Sequence, residues 1–498
     1  MKYTDCAAKL LIPVVALALA LTGVRAQAPT SVSPSARAAW GFDRSDLIPH
    51  PEIRFGVLPN GMRYAIMRNA APAGGLSVRL RFDIGARDEG PREHGFAHLI
   101  EHLIFHGTPN IPEASLSLML AQRGLRRWSD FDAFTSFDET VYRLNMGKSD
   151  AAARDVALML MREIGSNLLF TRRVVEGAKQ KVREEIAARD AVQDSIMAAQ
   201  NSFFLPGTPI ARGPVAGTRR QIGRATGPDL KRLYDVHYAP QRATLVIVGD
   251  FDPGVVEAET AARFSDWQPR GSAAPDRPPV AIPPRRGIET YLFTHPQAPT
   301  IVTIASVTPL TGTADAGRAR DAHFLEHLGS EMLNRRLFRL AAQPEAPFEG
   351  ASVSIYDHFS TARMAQVEVK AKDRDWRGAL AGGALELRRA VESGFTQAEL
   401  DEQLALSRHG LVQASAPRTT PALADAILDA TSRGIVFTAP AGSAANAAYL
   451  ARIRLADVNR AFAAAWSKRD RLIFLSHNRR IPNEKTAIAG AVMAQFPY

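Results

Sequence analysis

Cysteine is almost absent from this sequence. The single cysteine among the 498 residues, Cys6, lies in an N-terminal segment that we expect to be cleaved off. The mature chain can therefore form no disulfide bond, and a chain without a thiol that could mispair suits an oxidising compartment. Because Cys6 does not stand at the cleavage end of that segment, the sequence also argues against a lipoprotein anchor.

Long apolar runs are absent after the N-terminus. The one such run, from Leu10 to Leu21, follows Lys2 and Lys9 and precedes the small-x-small sequence Val24-Arg25-Ala26. This pattern predicts a signal peptide over residues 1–26, cleaved near Ala26, because its apolar core is too short to span a bilayer comfortably. This segment contains no twin arginine, so we expect Sec-type export to the periplasm and no integral membrane segment after cleavage.

A concentrated positive charge is lacking too. The formal net charge is +10, yet the arginines are scattered, and pairs such as Arg126-Arg127 and Arg172-Arg173 stand among acids. Nucleic-acid binding would require a basic patch interleaved with aromatic residues, so we predict no nucleic-acid partner. Apolar residues at 46% and charged residues at 22% indicate a globular protein with ample material for cores.

Proline-rich sequence divides the chain into two halves of similar size. Residues 27–47, rich in Ala, Ser and Pro, are predicted to be a flexible lead-in, and residues 268–286 form a linker that can hold neither a helix nor a central strand. We therefore expect two domains, residues 48–267 and 287–498. In each half strand patterns come first and helical patterns follow, which predicts α+β domains, each with a mixed or antiparallel sheet packed against helices.

The strand patterns are clearest at four places in the first half. A hairpin is predicted from 53–58 and 62–67 around the turn Asn60-Gly61, with further strands at 76–82 and 243–249. The second half gives a strand at 300–307, a helix around 317–342 and a strand near 363–370.

The two halves also repeat one another in sequence. Ala322–Leu328 reads A-H-F-L-E-H-L and matches A-H-L-I-E-H-L at Ala97–Leu103. Phe170-Thr171 recurs as Phe395-Thr396, at the same distance along the chain as the first match. Self-similarity at a fixed offset predicts that the two domains are homologous copies produced by an internal duplication.

An H-x-x-E-H motif at His98, Glu101 and His102 is the most informative feature of the first half. It is the zinc-peptidase sequence H-E-x-x-H in reverse. Positions i and i+4 of a helix share a face, so both histidines can bind one metal ion while Glu101 stands within reach of a metal-bound water. Two imidazoles and one remote carboxylate would leave a fourth position open, as hydrolytic zinc sites require. The motif is short, and an ordinary surface or core helix is an equal alternative at this point.

A third ligand should lie on a separate helix, and helical phase selects Glu185. Ala178, Val182, Glu185 and Ile186 share one face at spacings of three and four, whereas Glu184 falls on another face. A carboxylate on an otherwise buried face needs a partner, and a metal ion is a suitable one. The alternative is an amphipathic helix whose two glutamates are both solvated.

His106 stands four residues beyond His102 but cannot complete the site. On a helix, His98 and His106 are about 12 Å apart at about 1.5 Å per residue, whereas Zn–N bonds are only about 2 Å long. We expect His106 to cap the helix end before Gly107.

The second copy of the motif, at His323 and His327, has no aligned third ligand. The offset between the two motifs places Gly410 opposite Glu185, and the acids Glu399, Asp401 and Glu402 are out of register. We therefore predict that the second domain holds no catalytic zinc.

Together, these motifs resemble those of the pitrilysin-like inverzincin metallopeptidases, which include mitochondrial processing peptidase and bacterial periplasmic members. The resemblance covers most of the first half in the family's order, through Leu58–Gly61, Gly95–His102, Phe105–Thr108, Asp132–Tyr142, Val182–Ile186, Pro214–Thr218 and Leu245–Asp250. The second half is more weakly similar, through Met332–Leu337 and Gly394–Leu400.

The resemblance implies a zinc metalloendopeptidase that hydrolyses peptides or unfolded protein segments. His98, His102 and Glu185 would bind one Zn²⁺ per chain, and Glu101 would be the general base on a zinc-bound water. Four such domains would form a clamshell around the peptide, of which this chain supplies half. The peptide would pair with an edge strand near residues 76–86.

Several positions depart from the family pattern. Asp132 stands where asparagine is usual, Ala178 where a glutamate is usual, and extra residues occur around 125–131. The substrate-facing arginine and tyrosine of the opposite domain have no match around Ala341 and Phe348. We therefore expect the other half of the clamshell to come from a second copy or from a non-catalytic paralogue, giving a homodimer or a heterodimer.

Two other functions fit parts of the pattern. A non-catalytic scaffold or partner subunit of a pitrilysin-type complex usually carries a broken H-x-x-E-H motif, whereas every element of the motif is present here. A periplasmic zinc-storage protein would not need Glu101. We favour the zinc metalloendopeptidase and keep the scaffold subunit as the alternative.

Overall fold

The computed structural model describes residues 32–498 apart from 123–124, 127–128, 275–276, 278–280, 284–285, 311–316, 415–417, 441–442, 468–469 and 497–498. The predicted signal peptide lies outside the described residues. Within the described part of the chain, every helix is too short or too polar to cross a membrane.

Both halves of the described chain contain strands and helices. The helices are α1 (Pro34–Trp40), α2 (Phe96–Leu103), α3 (Glu113–Gln122), α4 (Ala151–Ser166), α5 (Arg172–Ala188), α6 (Ala191–Phe204), α7 (Arg219–Gly223), α8 (Gly227–His237), α9 (Pro253–Phe264), α10 (Gly317–Ala341), α11 (Trp376–Arg388), α12 (Gln397–Ala414), α13 (Thr420–Ser432), α14 (Ser443–Leu450), α15 (Leu455–Ala465) and α16 (Glu484–Gln495). The strands are β1 (Ile53–Val57), β2 (Arg63–Arg68), β3 (Leu76–Phe82), β4 (Phe131–Thr135), β5 (Thr140–Met146), β6 (Ala243–Gly249), β7 (Ile288–Thr294), β8 (Ile301–Pro309), β9 (Phe348–His358), β10 (Ala362–Ala371) and β11 (Arg471–His477).

The strands form two sheets, one in each half. The first has the order β1-β2-β6-β3-β5-β4 and the second the order β7-β11-β8-β10-β9. In each sheet one pair of neighbours is parallel, β2 with β6 and β7 with β11, and the other neighbours are antiparallel. Helices pack against both sheets around separate apolar cores. The predicted α+β class is confirmed.

The second sheet repeats the last five strands of the first. Strands β7 to β11 follow β2 to β6 in chain order, in position within the sheet and in direction. The first two equivalent pairs begin at Arg63 and Ile288 and at Leu76 and Ile301, with the same offset in numbering as the two motifs. The motif helices α2 and α10 both lie between the second and third strands of this pattern. The topology therefore supports the internal duplication inferred from sequence.

The expectation that peptide pairs with an edge strand near residues 76–86 is wrong. Strand β3 pairs with β6 on one side and with β5 on the other, so its backbone groups are already used within the sheet. All its residues are buried as well. The edges of this sheet are β1 and β4, and β4 is the one beside the motif helix α2.

The flexible lead-in expected for residues 27–47 is wrong over its described part. Ser33 caps helix α1 by accepting a hydrogen bond from the N–H of Ala36. Trp40 and Phe42 are buried in an apolar cluster on the outer face of the first sheet, beside Leu423 of the second half. These apolar side chains order the segment even though its overall composition is typical of a linker.

Each sheet is covered on its outer face by a helix from the other half. Helix α13 of the second half packs on β3 and β6. Helix α6 of the first half packs on β7 and β11, with Phe203 and Phe204 against Phe474. The predicted domain bounds therefore separate the strands of the two sheets, while the packing crosses those bounds.

A buried arginine ties α13 to the first sheet. Arg79 in the centre of β3 is nearly fully buried, and its Nε donates to Asp425 of α13 at 2.6 Å. Its Nη1 donates to Asn145 Oδ1 at 2.9 Å. A buried guanidinium that loses its counter-charge is costly, so this pair couples the two halves.

Asp425→Ala should lower the free energy of unfolding by about 1–2 kcal/mol, because Arg79 loses its ionic partner but keeps its other hydrogen bonds. Since Asp425 is 48% exposed, solvent screening keeps the effect below that of a fully buried pair. The measurement is the urea midpoint followed by tryptophan fluorescence. The control is Asp429→Ala, one turn further on and paired to Arg433, the residue directly after this helix. Equal shifts for both variants would contradict the coupling.

Candidate metal centre

Helix α2 carries the first motif and is buried along its whole length. It begins directly after Gly95, whose φ is 92°. A Cβ atom at Gly95 would lie 2.7 Å from the carbonyl oxygen of Ala216, so only glycine fits this approach. The buried Glu89 carboxylate caps the helix by accepting from the N–H groups of Gly95 (2.9 Å) and Ala97 (2.7 Å). The start of the helix, and with it the direction of its histidines, is therefore fixed.

Helix α5 supplies the third side chain and packs against α2. Thr171 caps its N-terminus through the N–H of Val174. Ala178 and Val182 are fully buried, and Glu185 lies on the same face. Burial of this apolar face therefore turns Glu185 towards α2.

Three side chains from these helices converge. The Nε2 atoms of His98 and His102 are 3.3 Å apart, and Oε2 of Glu185 lies 3.5 Å from each of them. Within the described part of the chain, this is the one group of three or more His, Cys, Asp or Glu side chains close enough to hold one ion. The structure thus brings together the three side chains that the sequence predicts as metal ligands.

Burial sets the charge states of this group in the metal-free chain. It lowers the pKa of His98 to about 3, so the imidazole is neutral at neutral pH. Burial acts to raise the pKa of Glu185, but the hydrogen bond to His102 and the nearby positive charges, including Arg189, lower it to about 2. The group therefore offers a neutral imidazole beside a charged carboxylate.

The donor set and its spacing fit a zinc ion. Two imidazole nitrogens and one carboxylate oxygen are the protein ligands of many hydrolytic zinc sites. The corners of a tetrahedron with bonds of about 2.0–2.1 Å are about 3.3–3.4 Å apart. The measured separations of 3.3 and 3.5 Å are close to that value.

Glu101 lies beside this group on the same helix. Its Oε2 is 4.0 Å from Nε2 of His98 and accepts a hydrogen bond of 2.6 Å from the hydroxyl of Thr135, the last residue of β4. Burial raises the pKa of Glu101 to about 7, against the lowering effects of His102 and Thr135. A carboxyl with a pKa near neutrality, held by one hydrogen bond, can both take up and release a proton.

Arg189 completes the surroundings of Glu185 and was missed from sequence. It lies one turn after Glu185, and its Nη2 donates to Oε1 at 2.6 Å. This bond leaves Oε2 facing the two histidines. The spacing of four residues was a readable signal, since Glu and Arg at i and i+4 pair on a helix.

Two neighbouring residues that were considered as ligands lie elsewhere. Glu184 is 52% exposed and pairs with Lys181. His106 ends the 3₁₀ turn that follows α2, with its Nδ1 3.5 Å from Oε2 of Glu113. A Cβ atom at Gly177 would lie 2.7 Å from the His106 ring, so glycine permits the close approach of α5 at this point.

Two of the departures from the family pattern, Asp132 and Ala178, have partners or packing of their own. Asp132 on β4 accepts two hydrogen bonds from Arg143 of β5, at 2.7 and 2.8 Å. Ala178 is fully buried in the first core. Glu176, near the position where the family carries a glutamate, pairs with Lys179.

The second motif has a different setting. On α10, Glu326 forms an ion pair with Arg363 of β10. Burial lowers the pKa values of His323 and His327. No carboxylate or further histidine completes this pair among the described residues.

The chain matches two domain models of one peptidase family. Residues 64–204 match the model described as insulinase, peptidase family M16, and residues 224–406 match the peptidase M16 inactive domain. The first match contains His98, His102 and Glu185, and the second contains His323 and His327.

Curated relatives match part of the chain. Over 203 residues the chain is 29% identical to the probable zinc protease PqqL of Haemophilus influenzae, which covers 41% of this chain and 22% of that protein. Over 198 residues it is 29% identical to the probable zinc protease PqqL of Escherichia coli, which covers 40% of this chain and 21% of that protein. The matched region spans about a fifth of the length of these relatives.

Solved structures share the fold over nearly the whole chain. The first half of the periplasmic protease PqqL from Escherichia coli has a TM-score of 0.79 at 20% identity, and the alignment covers 91% of this chain and 98% of that half. The structure of PqqL itself gives 0.80, with 51% of its chain covered. The motifs, the two domain models and the fold agree: the chain belongs to peptidase family M16, the pitrilysin-like family that its motifs resemble.

Proposed function

We propose that this protein is a zinc-dependent endopeptidase that hydrolyses peptides or unfolded protein segments in the periplasm. The observation that carries the proposal is the convergence of His98, His102 and Glu185 at tetrahedral spacing, with Glu101 beside them. Relatives described as zinc proteases support the metal and the activity, and the periplasmic protease PqqL supports the compartment.

Different residues of the chain would bind the metal ion and transfer the proton. His98, His102 and Glu185 would hold the zinc ion, and Arg189 keeps Glu185 in orientation. When bound, zinc lowers the pKa of water and polarises the scissile carbonyl. Glu101 takes the proton from the attacking water and delivers it to the leaving amine. Thr135 holds Glu101 in position.

Strand β4 is the proposed docking edge for the peptide. Its inner edge pairs with β5, and its outer edge has no partner strand among the described residues. An extended peptide added there would gain main-chain hydrogen bonds that do not depend on its sequence. Because Thr135 at the end of β4 contacts Glu101, a peptide on this edge would run past the proposed base.

The departures at 132 and 178 are compatible with the enzyme and leave the scaffold subunit as the alternative. Arg143 neutralises the extra charge of Asp132 within the sheet. Ala178 fills a buried position without leaving a charge unpaired. Neither change removes a ligand or the base.

The assembly would place a second half-clamshell opposite this chain. The chain corresponds to about half of PqqL, with 51% of that structure covered. A second copy or a non-catalytic paralogue would supply the remainder, as a homodimer or a heterodimer.

Glu185→Ala should weaken zinc binding by at least about a hundredfold, because a direct ligand matters more than an outer partner. Zinc affinity is measured by competition with a chromophoric chelator, and stoichiometry by metal analysis, with one zinc per chain expected for the wild type. Glu184→Ala is the control and should bind zinc normally. Equal losses in both variants would reject Glu185 as the ligand.

Glu101→Gln should keep its zinc and lower kcat by about 10²–10⁴-fold, because the amide cannot accept the proton. The assay is cleavage of an unfolded casein, by the chain alone and with its paralogue. Glu326→Gln, the equivalent change in the second motif, should leave kcat unchanged. Normal cleavage by Glu101→Gln would exclude the mechanism.

Arg189→Ala should weaken zinc binding by about 10–100-fold, since Glu185 is then free to turn away from the histidines. The control is Lys181→Ala, which removes the solvent-facing pair with Glu184 on the same helix. The same chelator competition measures both variants. An unchanged affinity in Arg189→Ala would show that Glu185 needs no orientation.

A further inference from the structure

A turn in the second half adopts a backbone conformation that its residues disfavour. The turn joins β9 to β10, and Phe359 and Ser360 both have a φ of 45°. A hydrogen bond of 3.0 Å from the N–H of Thr361 to the carbonyl oxygen of His358 closes it. Turns with two positive φ angles normally carry asparagine or glycine. Further contacts must therefore stabilise this turn. One lies within the hairpin, where the hydroxyl of Thr361 donates to the carbonyl oxygen of Phe359 at 2.8 Å.

Other contacts on this turn come from the first half and act on Phe359. Its ring packs against that of Phe137, with the centroids 4.8 Å apart. Its carbonyl oxygen accepts a hydrogen bond of 2.8 Å from Nη1 of Arg87. Arg87 and Phe137 are themselves nearly excluded from solvent, whereas Ser360 is exposed. Phe359 is thus the residue by which the first half holds this turn.

Phe137 belongs to the turn between β4 and β5, and this turn is fixed from several sides. The N–H of Ser136 bonds the carbonyl oxygen of Glu139 at 2.8 Å. The Asp138 carboxylate accepts from Arg87 at 2.7 Å, and the Asp138 carbonyl accepts from Arg277 of the linker at 2.5 Å. The linker and the second half therefore both contribute anchors to a turn of the first sheet.

The β4–β5 turn directly follows Thr135, the residue that contacts the proposed base Glu101. Thr135, which donates to Glu101, is two residues before Phe137. A shift of Phe137 would therefore move the hydroxyl that orients Glu101, together with the docking edge β4. The candidate ligands are held differently, by the packing of α2 against α5.

We propose that Phe359 is a positioning residue through which the second half holds the β4–β5 turn and keeps Thr135 on Glu101. The half that matches a domain model named inactive then supports the activity of the other half. The proposal rests on the proposed function, since Glu101 and β4 act there. Phe359 itself contacts neither the peptide edge nor the ligand group in this account and acts through Phe137.

Two variants separate positioning from stability. Phe359→Ala and Phe359→Gly both remove the ring, and each should lower kcat at least about tenfold, because small displacements of a catalytic group are costly. Glycine relieves the disfavoured backbone, so Phe359→Gly should have the higher thermal midpoint of the two with no higher kcat. Zinc affinity should be unchanged in both. A merely structural role predicts instead that kcat recovers as the midpoint rises. Phe359→Tyr keeps the aromatic ring and should retain a kcat close to that of the wild type.

Ser360→Gly is the matched control, since it relieves the same backbone conformation and keeps the ring. It should show wild-type kcat and a raised thermal midpoint. Hydrogen exchange of the Ser136 amide in the zinc-loaded protein should accelerate in Phe359→Gly and not in Ser360→Gly. This readout requires no turnover: if the wild type cleaves nothing but the exchange rates differ as stated, the proposed function fails and the positioning stands. Wild-type kcat or unchanged exchange in Phe359→Gly overturns the proposal.

Discussion

The packing of α5 against α2 is the contact on which the candidate site depends. Glu185 and His102 are far apart in the chain, and the crossing of the two helices brings Glu185 to 3.5 Å from both histidines. Small residues of α5 permit the close approach of the two helices. Gly177 lies against the His106 ring, where a Cβ atom would be too close, and Ala178 is fully buried. A larger residue on this face of α5 would move the two helices apart and so move Glu185 away from the histidines.

The sequence was most informative where apolar residues recur with the period of a helix or a strand. Helical spacing of three and four distinguished Glu185 from Glu184. Alternation of apolar and polar residues predicted β3, and a nearly continuous apolar run predicted β6. All residues of both strands are buried. The offset between the two motifs reappears in the starts of equivalent strands. In these cases burial imposes a pattern that the residues themselves display.

Sequence was misleading where partners distant in the chain decide the structure. The sheet order places β6 beside β3, and this pairing between strands from opposite ends of the first half turns a supposed edge strand into a central one. Residues 32–47 have a linker composition, but Trp40 is buried beside α13 of the other half. The β9–β10 turn contributes through contacts that no local pattern indicates. The two halves of the repeat have thus diverged in chemistry while each still covers the other's sheet.

The central claim is that one zinc ion occupies the group on α2 and α5. Anomalous diffraction at the zinc edge, on crystals of the purified chain grown with stoichiometric zinc, tests it most directly. The account predicts one peak about 2.0–2.2 Å from Nε2 of His98, Nε2 of His102 and Oε2 of Glu185. A peak at His323 and His327 instead, or none at the first group in a correctly folded chain, would contradict it.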